Sequence, residues 1–313
     1  MKEKTTAPRR RFSKLKTYAT ALALLGIGGI LPAFMATGIY EEQQKTGLQP
    51  PLPKPDRSDA LSQQLAFFSL GGLRSLVAEI YTLDATDAWS HRDWPRLRRR
   101  WESATTLMPR RINYWIQAEN DMTANAAGDF LQNRKLSDAE RKAGYREYLR
   151  IGENFLLEGI ANNPTSWKLH VALAEHYGNI YRSPRFKKAA TAMKKAMELG
   201  APEYYNRVLF YNLCRIPGRE QEAWKLGRML FENEEHHVPA VRFLLFVLQN
   251  KIEVPADEAL SIDRLFRNTP QETEEEVLTT AYKTIERFST NDLHYPTHGA
   301  SEFLKKHAYI VED

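Results

Sequence analysis

Four segments of the chain repeat one spacing of small and bulky apolar residues, and that spacing restricts the fold more than any other feature. Leu97, Trp101, Ala104 and Pro109 are separated by 4, 3 and 5 residues, and Gly152, Leu156, Gly159 and Pro164 reproduce those offsets. Ala189, Met193 and Ala196 follow them with Pro202 one place late, and Ala223, Gly227 and Leu230 keep them without the proline. Steps of three and four put residues on one face of an α-helix. A small residue on that face lets a second helix approach, a bulky one fills the space beside it, and the proline lies past the helix end. No single helix pair with this pattern can bury its apolar face alone, so neighbouring pairs must stack. Ala189 to Ala223 spans 34 residues and Ala223 to Ala259 spans 36. From Ser58 onward alternating strand patterns are rare, and the periodicity predicts about ten or eleven helices joined by short turns. Their start signals are explicit. Asp93 precedes a helix with Pro95 in its first turn, and Ser137 with Glu140 forms a capping box. Ser137 to Ala161 contains no break, which predicts one long helix.

The stretch DWPRLRRRWESATTLMP, residues 93–109, tests the register, because it holds Trp94 and Trp101 beside Arg96, Arg98, Arg99 and Arg100. At about 100° per residue Trp94, Leu97, Trp101, Ala104 and Met108 fall within an arc of about 80°, and the arginines lie around the other side. The tryptophans are therefore expected in the core and the arginines on a solvated face, with their stems covering apolar edges. A basic patch for nucleic acid or an acidic partner, through Arg96 to Arg100, is the alternative.

The charge of +5 does not belong to this region. Lys2, Lys4, Arg9, Arg10, Arg11, Lys14 and Lys16 precede residue 18 against Glu3 alone. Taking those seven from 44 basic residues and that one from 39 acidic residues leaves 37 against 38, a body close to neutral. A nucleic-acid binder needs a net basic face, so none is expected as a partner. Tyr18 to Tyr40 carries no charged residue. As a helix it would be roughly 34 Å long, enough to cross a hydrocarbon core of about 30 Å. The tyrosines at its ends suit the interfaces, and the basic arm before it places the N-terminus in the cytoplasm and the rest outside. A cleaved signal peptide ending near Ala36-Thr37-Gly38 is the competing interpretation. Pro50, Pro51, Pro53 and Pro55 then mark a semi-rigid spacer. The expected organisation is a basic cytoplasmic arm over 1–17, a transmembrane helix over 18–40, a proline-rich spacer over 41–57, a helical-repeat domain over 58–290 and a less regular C-terminal tail over 291–313.

The segments RFKKAATAMKKAMELGAP and GREQEAWKLGRMLFEN resemble the second helix of a tetratricopeptide repeat, which carries the same small, bulky, small order followed by a proline. Trp115, six residues after Pro109, and Tyr177 stand near that family's first-helix aromatic positions. SLGGLRSLVAEIYTLDATDAW is similar to membrane-anchored bacterial proteins of this repeat type. The family's Leu-Gly pair is mostly absent, and Glu119 stands where a small residue is usual, so the repeats are degenerate. The resemblance covers about residues 75 to 267. It implies an all-α, right-handed solenoid of helical hairpins preceded by one transmembrane helix. It further implies a groove lined by the first helices, at Asn113, Asn120, Lys168, Glu175, Tyr205, Asn212 and Arg215, that binds another protein.

Residues that could carry chemistry are few. His236 and His237 are adjacent and point different ways on a helix, so exposure to solvent is expected. His294 and His298 are separated by Pro296, which interrupts any helix that would align them. Cys214 is the only cysteine and sits in the apolar run VLFYNLCRI as a small core residue. HExxH, a glycine-rich phosphate loop and a nucleophile elbow are all missing. The expectation is a scaffold or adaptor on the extracytoplasmic side of a bacterial inner membrane, in an envelope-assembly, secretion or pilus-like complex. It would use no catalytic residue, metal, cofactor or small-molecule substrate, and it would be anchored through residues 18–40. A cell-envelope enzyme or processing factor with a cryptic site is the rival class.

Overall fold

The computed structural model describes residues 74–291 and 294–311. The basic arm, the apolar span, the spacer and the first part of the repeat domain therefore lie outside the described residues. Among the described residues every regular element is helical, as the apolar spacing requires. No described helix is long and apolar enough to cross a membrane.

The chain divides into two compact units, 1–164 and 165–313. In the first, α1 (Arg74–Ser90) packs along α2 (Trp94–Leu107). Ala78, Ala85 and Ala88 form its buried side, and these small residues permit the close approach. Asp93 caps α2 by accepting from the Arg96 amide at 3.1 Å, with Pro95 in the first turn as expected. Next come α3 (Ile112–Asn120), a π-helical turn (Asp121–Ala126) and α4 (Ala127–Gln132), one continuous helical rod laid against α5 (Asp138–Asn162). The Ser137–Glu140 capping box is present, and α5 is the long unbroken helix foreseen. Gly159 faces Trp115, whose Cγ lies 2.8 Å from where a Cβ on that glycine would stand. Gly152 in the same way receives Thr123 and the main chain of Glu119. This explains the departure at Glu119. The residue is 9% exposed where a small side chain was expected, and the missing side chain on the facing helix makes room for it.

The second unit repeats the scheme. α6 (Trp167–Gly178) packs on α7 (Phe186–Glu198), and α8 (Asn206–Cys214) packs on both α7 and α9 (Glu220–Phe231). α10 (Pro239–Lys251) contributes the fully buried Phe243, Leu244, Leu245 and Leu248. α11 (Ile262–Phe266) and α12 (Glu274–Asn291) follow. Ala189, Met193 and Ala196 are fully buried, and Ala223, Gly227 and Leu230 are also inside, so the repeated spacing marks buried faces in each helix pair where it occurs. Gly200, at φ +88°, ends α7. The Ala201 amide reaches back to the Ala196 carbonyl at 3.0 Å, closing the last turn.

One expectation needs correcting. The segment after 291 is expected to be less regular than the repeats, yet α13 (Ala300–Lys306) lies there with Ala300 and Phe303 buried. Phe303 meets Phe246 edge-on at 5.5 Å, so α13 contributes to the core of its unit.

Candidate partner-binding site

The seven expected groove residues have different fates. Asn113 and Asn120 are exposed on α3. Lys168 and Glu175 are exposed on α6, and the Lys168 ammonium lies 5.6 Å from the Trp167 ring. Tyr205 is half-buried, with its ring 5.9 Å from Trp167 and 4.3 Å from Tyr204. The hydrogen bond with Tyr204, together with burial, pushes its hydroxyl up to about 12. Asn212 departs from the expectation. It is 3% exposed, donates to the Val208 carbonyl at 3.0 Å and fills the gap left by Gly178. Arg215 is engaged within its own unit. Its guanidinium lies over Tyr295 at 3.9 Å and Phe186 at 5.3 Å, and it donates to the Tyr211 carbonyl at 3.2 Å. The C-terminal segment thus occupies a residue assigned to the groove.

Sequence reasoning missed a cleft of about 350 Å³ in the first unit, lined by Thr82, Leu83, Thr86 and Trp89 of α1, Trp101 of α2, and Gln117, Asp121 and Asn125 of the α3–π rod. Its floor is Asp121, 7% exposed. The carboxylate accepts from the Trp101 indole at 2.7 Å, from Gln117 at 3.0 Å and from Asn125 at 3.0 Å. Burial raises this carboxyl above its ordinary value against the pull of those three donors. A second cleft of about 380 Å³ shares Trp89 and Asn125 with the first. There Asp129 accepts from the Trp94 indole at 2.8 Å and from Arg92 at 2.9 Å. Both tryptophans of residues 93–109 are therefore buried as expected, at 7% and 6% exposure, and each holds an aspartate of the next helical rod. The π-turn lies at Asp121 itself, and such turns recur at functional sites. A polar ladder at steps of four, Gln117, Asp121 and Asn125, was visible in QAENDMTAN. Only its meeting with Trp101 marks it as a site.

Beside these clefts α1 shows solvent Leu76, Ile80 and Leu83, at 56%, 54% and 70% exposure, and Trp89 at 46%. The arginine cluster of α2 is less solvated than expected. Arg96 and Arg100 both pair with Asp84 of α1, and Arg98 pairs with Glu102. Burial acts to raise the Asp84 carboxyl, but the two guanidinium groups outweigh it and hold it below its ordinary value.

Of the remaining candidates His236, His237 and Cys214 are packed, whereas His294 and His298 are exposed. His236 is 9% exposed rather than open to solvent, and His237 stacks on Phe231 at 4.0 Å, its Nε2 2.8 Å from the Phe231 carbonyl oxygen. Cys214 is buried, which pushes its thiol well above the ordinary range. His294 meets the Phe186 ring at 5.3 Å. Among the described residues no cluster of three or more His, Cys, Asp or Glu is placed to hold a metal ion. No protein-family model matches the chain, and no curated protein shows significant similarity to it.

Proposed function

We propose that this protein is a membrane-anchored helical-repeat scaffold that binds another protein through the cleft beside Trp89. The observation that carries this reading is the cleft itself. A concave polar floor lies next to exposed Leu83 and Trp89, on the first helix of a pair, where tetratricopeptide-like proteins engage their ligands. The buried small–bulky–small faces are consistent with degenerate repeats stacked as a right-handed solenoid. The charge-free run 18–40 supports the anchor, and the basic arm supports an extracytoplasmic domain in an envelope assembly, secretion or pilus-like complex. An adaptor fits this cleft better than an enzyme, since Asp121 is the only titratable acid or base among the cleft's lining residues.

Photocrosslinking in native membranes tests the proposal. A benzoyl-phenylalanine at Leu83 of the full chain should capture a discrete protein, and the same group at Leu157, exposed on α5, should not. Equal capture from both positions, or none from either, would count against a binding cleft.

A further inference from the structure

We infer that the cleft at Asp121 is a subsite for the primary ammonium of a lysine side chain presented by the partner. The inference rests on the reading that this cleft binds a protein.

The chemistry of the walls selects the ligand. Among the described residues Asp121 forms no ion pair, and its three partners are neutral N–H groups. A buried carboxylate that keeps its charge is normally compensated by a cation. The Thr82 hydroxyl donates to the Glu79 carbonyl at 2.8 Å, and the Thr86 hydroxyl donates to the Thr82 carbonyl at 3.1 Å. Each hydroxyl has one hydrogen, so both threonines offer the cleft only lone pairs. Gln117 and Asn125 point amide nitrogens at Asp121, which leaves their carbonyl oxygens as further acceptors. Acceptors on several sides suit a group with several donors. The distribution of bonds on the carboxylate then favours lysine over arginine. Oδ1 already accepts twice, from Gln117 and Asn125, whereas Oδ2 accepts once, from Trp101. One open position on one oxygen suits a compact ammonium; the guanidinium fork needs both oxygens. Trp89 and Leu83 would cover the aliphatic stem, and the indole face adds attraction for the charge.

The test uses the full chain in detergent, with tryptophan labelled at the indole nitrogen and NMR as readout. Nα-acetyl-lysine methylamide should shift the Trp101 and Trp89 indole signals saturably, with Kd on the order of millimolar. The arginine analogue should bind roughly tenfold more weakly, and the norleucine analogue should give no saturable shift. Asp121→Asn should lose the response while the chain stays folded, as the dispersion of its remaining indole signals reports. Trp89→Ala, at an exposed position, should weaken it several-fold and covers the case in which Asp121→Asn does not fold. A flat lysine titration, or equal shifts from the norleucine analogue, overturns the subsite. If Leu83 still crosslinks to a partner in that case, the scaffold reading survives and only the lysine assignment falls.

Discussion

Trp101 fills the core with its ring and holds Asp121 through its indole nitrogen. Its replacement by alanine should cost about 3–5 kcal/mol, measured by denaturant unfolding, because a cavity opens and a buried carboxylate loses a donor. A near-neutral effect would mean that the ring is not in the core. Asp121 makes a second prediction, about pH. Its folded-state pKa is raised, so the folded chain holds that proton more tightly than the unfolded chain does. The resulting stabilisation is complete below the ordinary value of 3.8 and is lost as pH rises through the folded value. Asp121→Asn removes this contribution. The stability of the parent relative to the variant should therefore rise as pH is lowered from neutrality toward 3.8, followed by thermal melts of both proteins. A pH-independent difference would show that the carboxyl is unperturbed. Carboxylates held below their ordinary values by arginines, such as Asp84, Asp138 and Glu147, act in the opposite direction, which is why the comparison must be made against the variant.

The helix pairs depend on glycines whose roles differ by what faces them. A Cβ at Gly159 would stand 2.8 Å from Cγ and 3.0 Å from Cβ of Trp115, a side chain 3% exposed that has nowhere to move. Gly159→Ala should therefore destabilise by about 1–3 kcal/mol despite the better helix propensity of alanine. Gly128 has nothing within 4 Å of such a Cβ, so Gly128→Ala in α4 should stabilise by about 0.5–1 kcal/mol. Parallel thermal melts would check the pair, and similar shifts in both would refute the packing argument. Much at this scale was legible in advance. The Asp93 cap, the Ser137–Glu140 box and the unbroken α5 follow from residues within a few positions of one another. The C-terminal helix was not legible. The segment around Ala300 and Phe303 is short and sits between turn residues, and it is helical because Phe303 finds Phe246.

For the whole molecule, the sequence assigns the excess positive charge to residues before 18 and leaves a nearly neutral body. With the apolar run that follows, this gives the proposed topology a direct check. Protease added to spheroplasts should degrade the helical domain, and it should spare that domain in intact cells. Protection in spheroplasts would reverse the orientation. The two compact units each have a core of their own, around Leu97, Trp115 and Leu156 in one and Met193, Phe210 and Phe243 in the other.

By itself the sequence determined that these segments are helices, which face of each is buried and where the long helix begins. Those properties depend on spacing at the helical period and on capping groups a turn away. Only the tertiary structure decided which polar groups meet. Asp121 lies 20 residues from Trp101, Glu119 enters the space left by Gly152 on the facing helix, and Arg215 is taken by Tyr295 rather than left to a groove. Such meetings follow from how helices cross and how closely they approach, quantities that local periodicity does not carry. The all-helical class could therefore be read from the chain, whereas the candidate site emerged only where two helices were brought together.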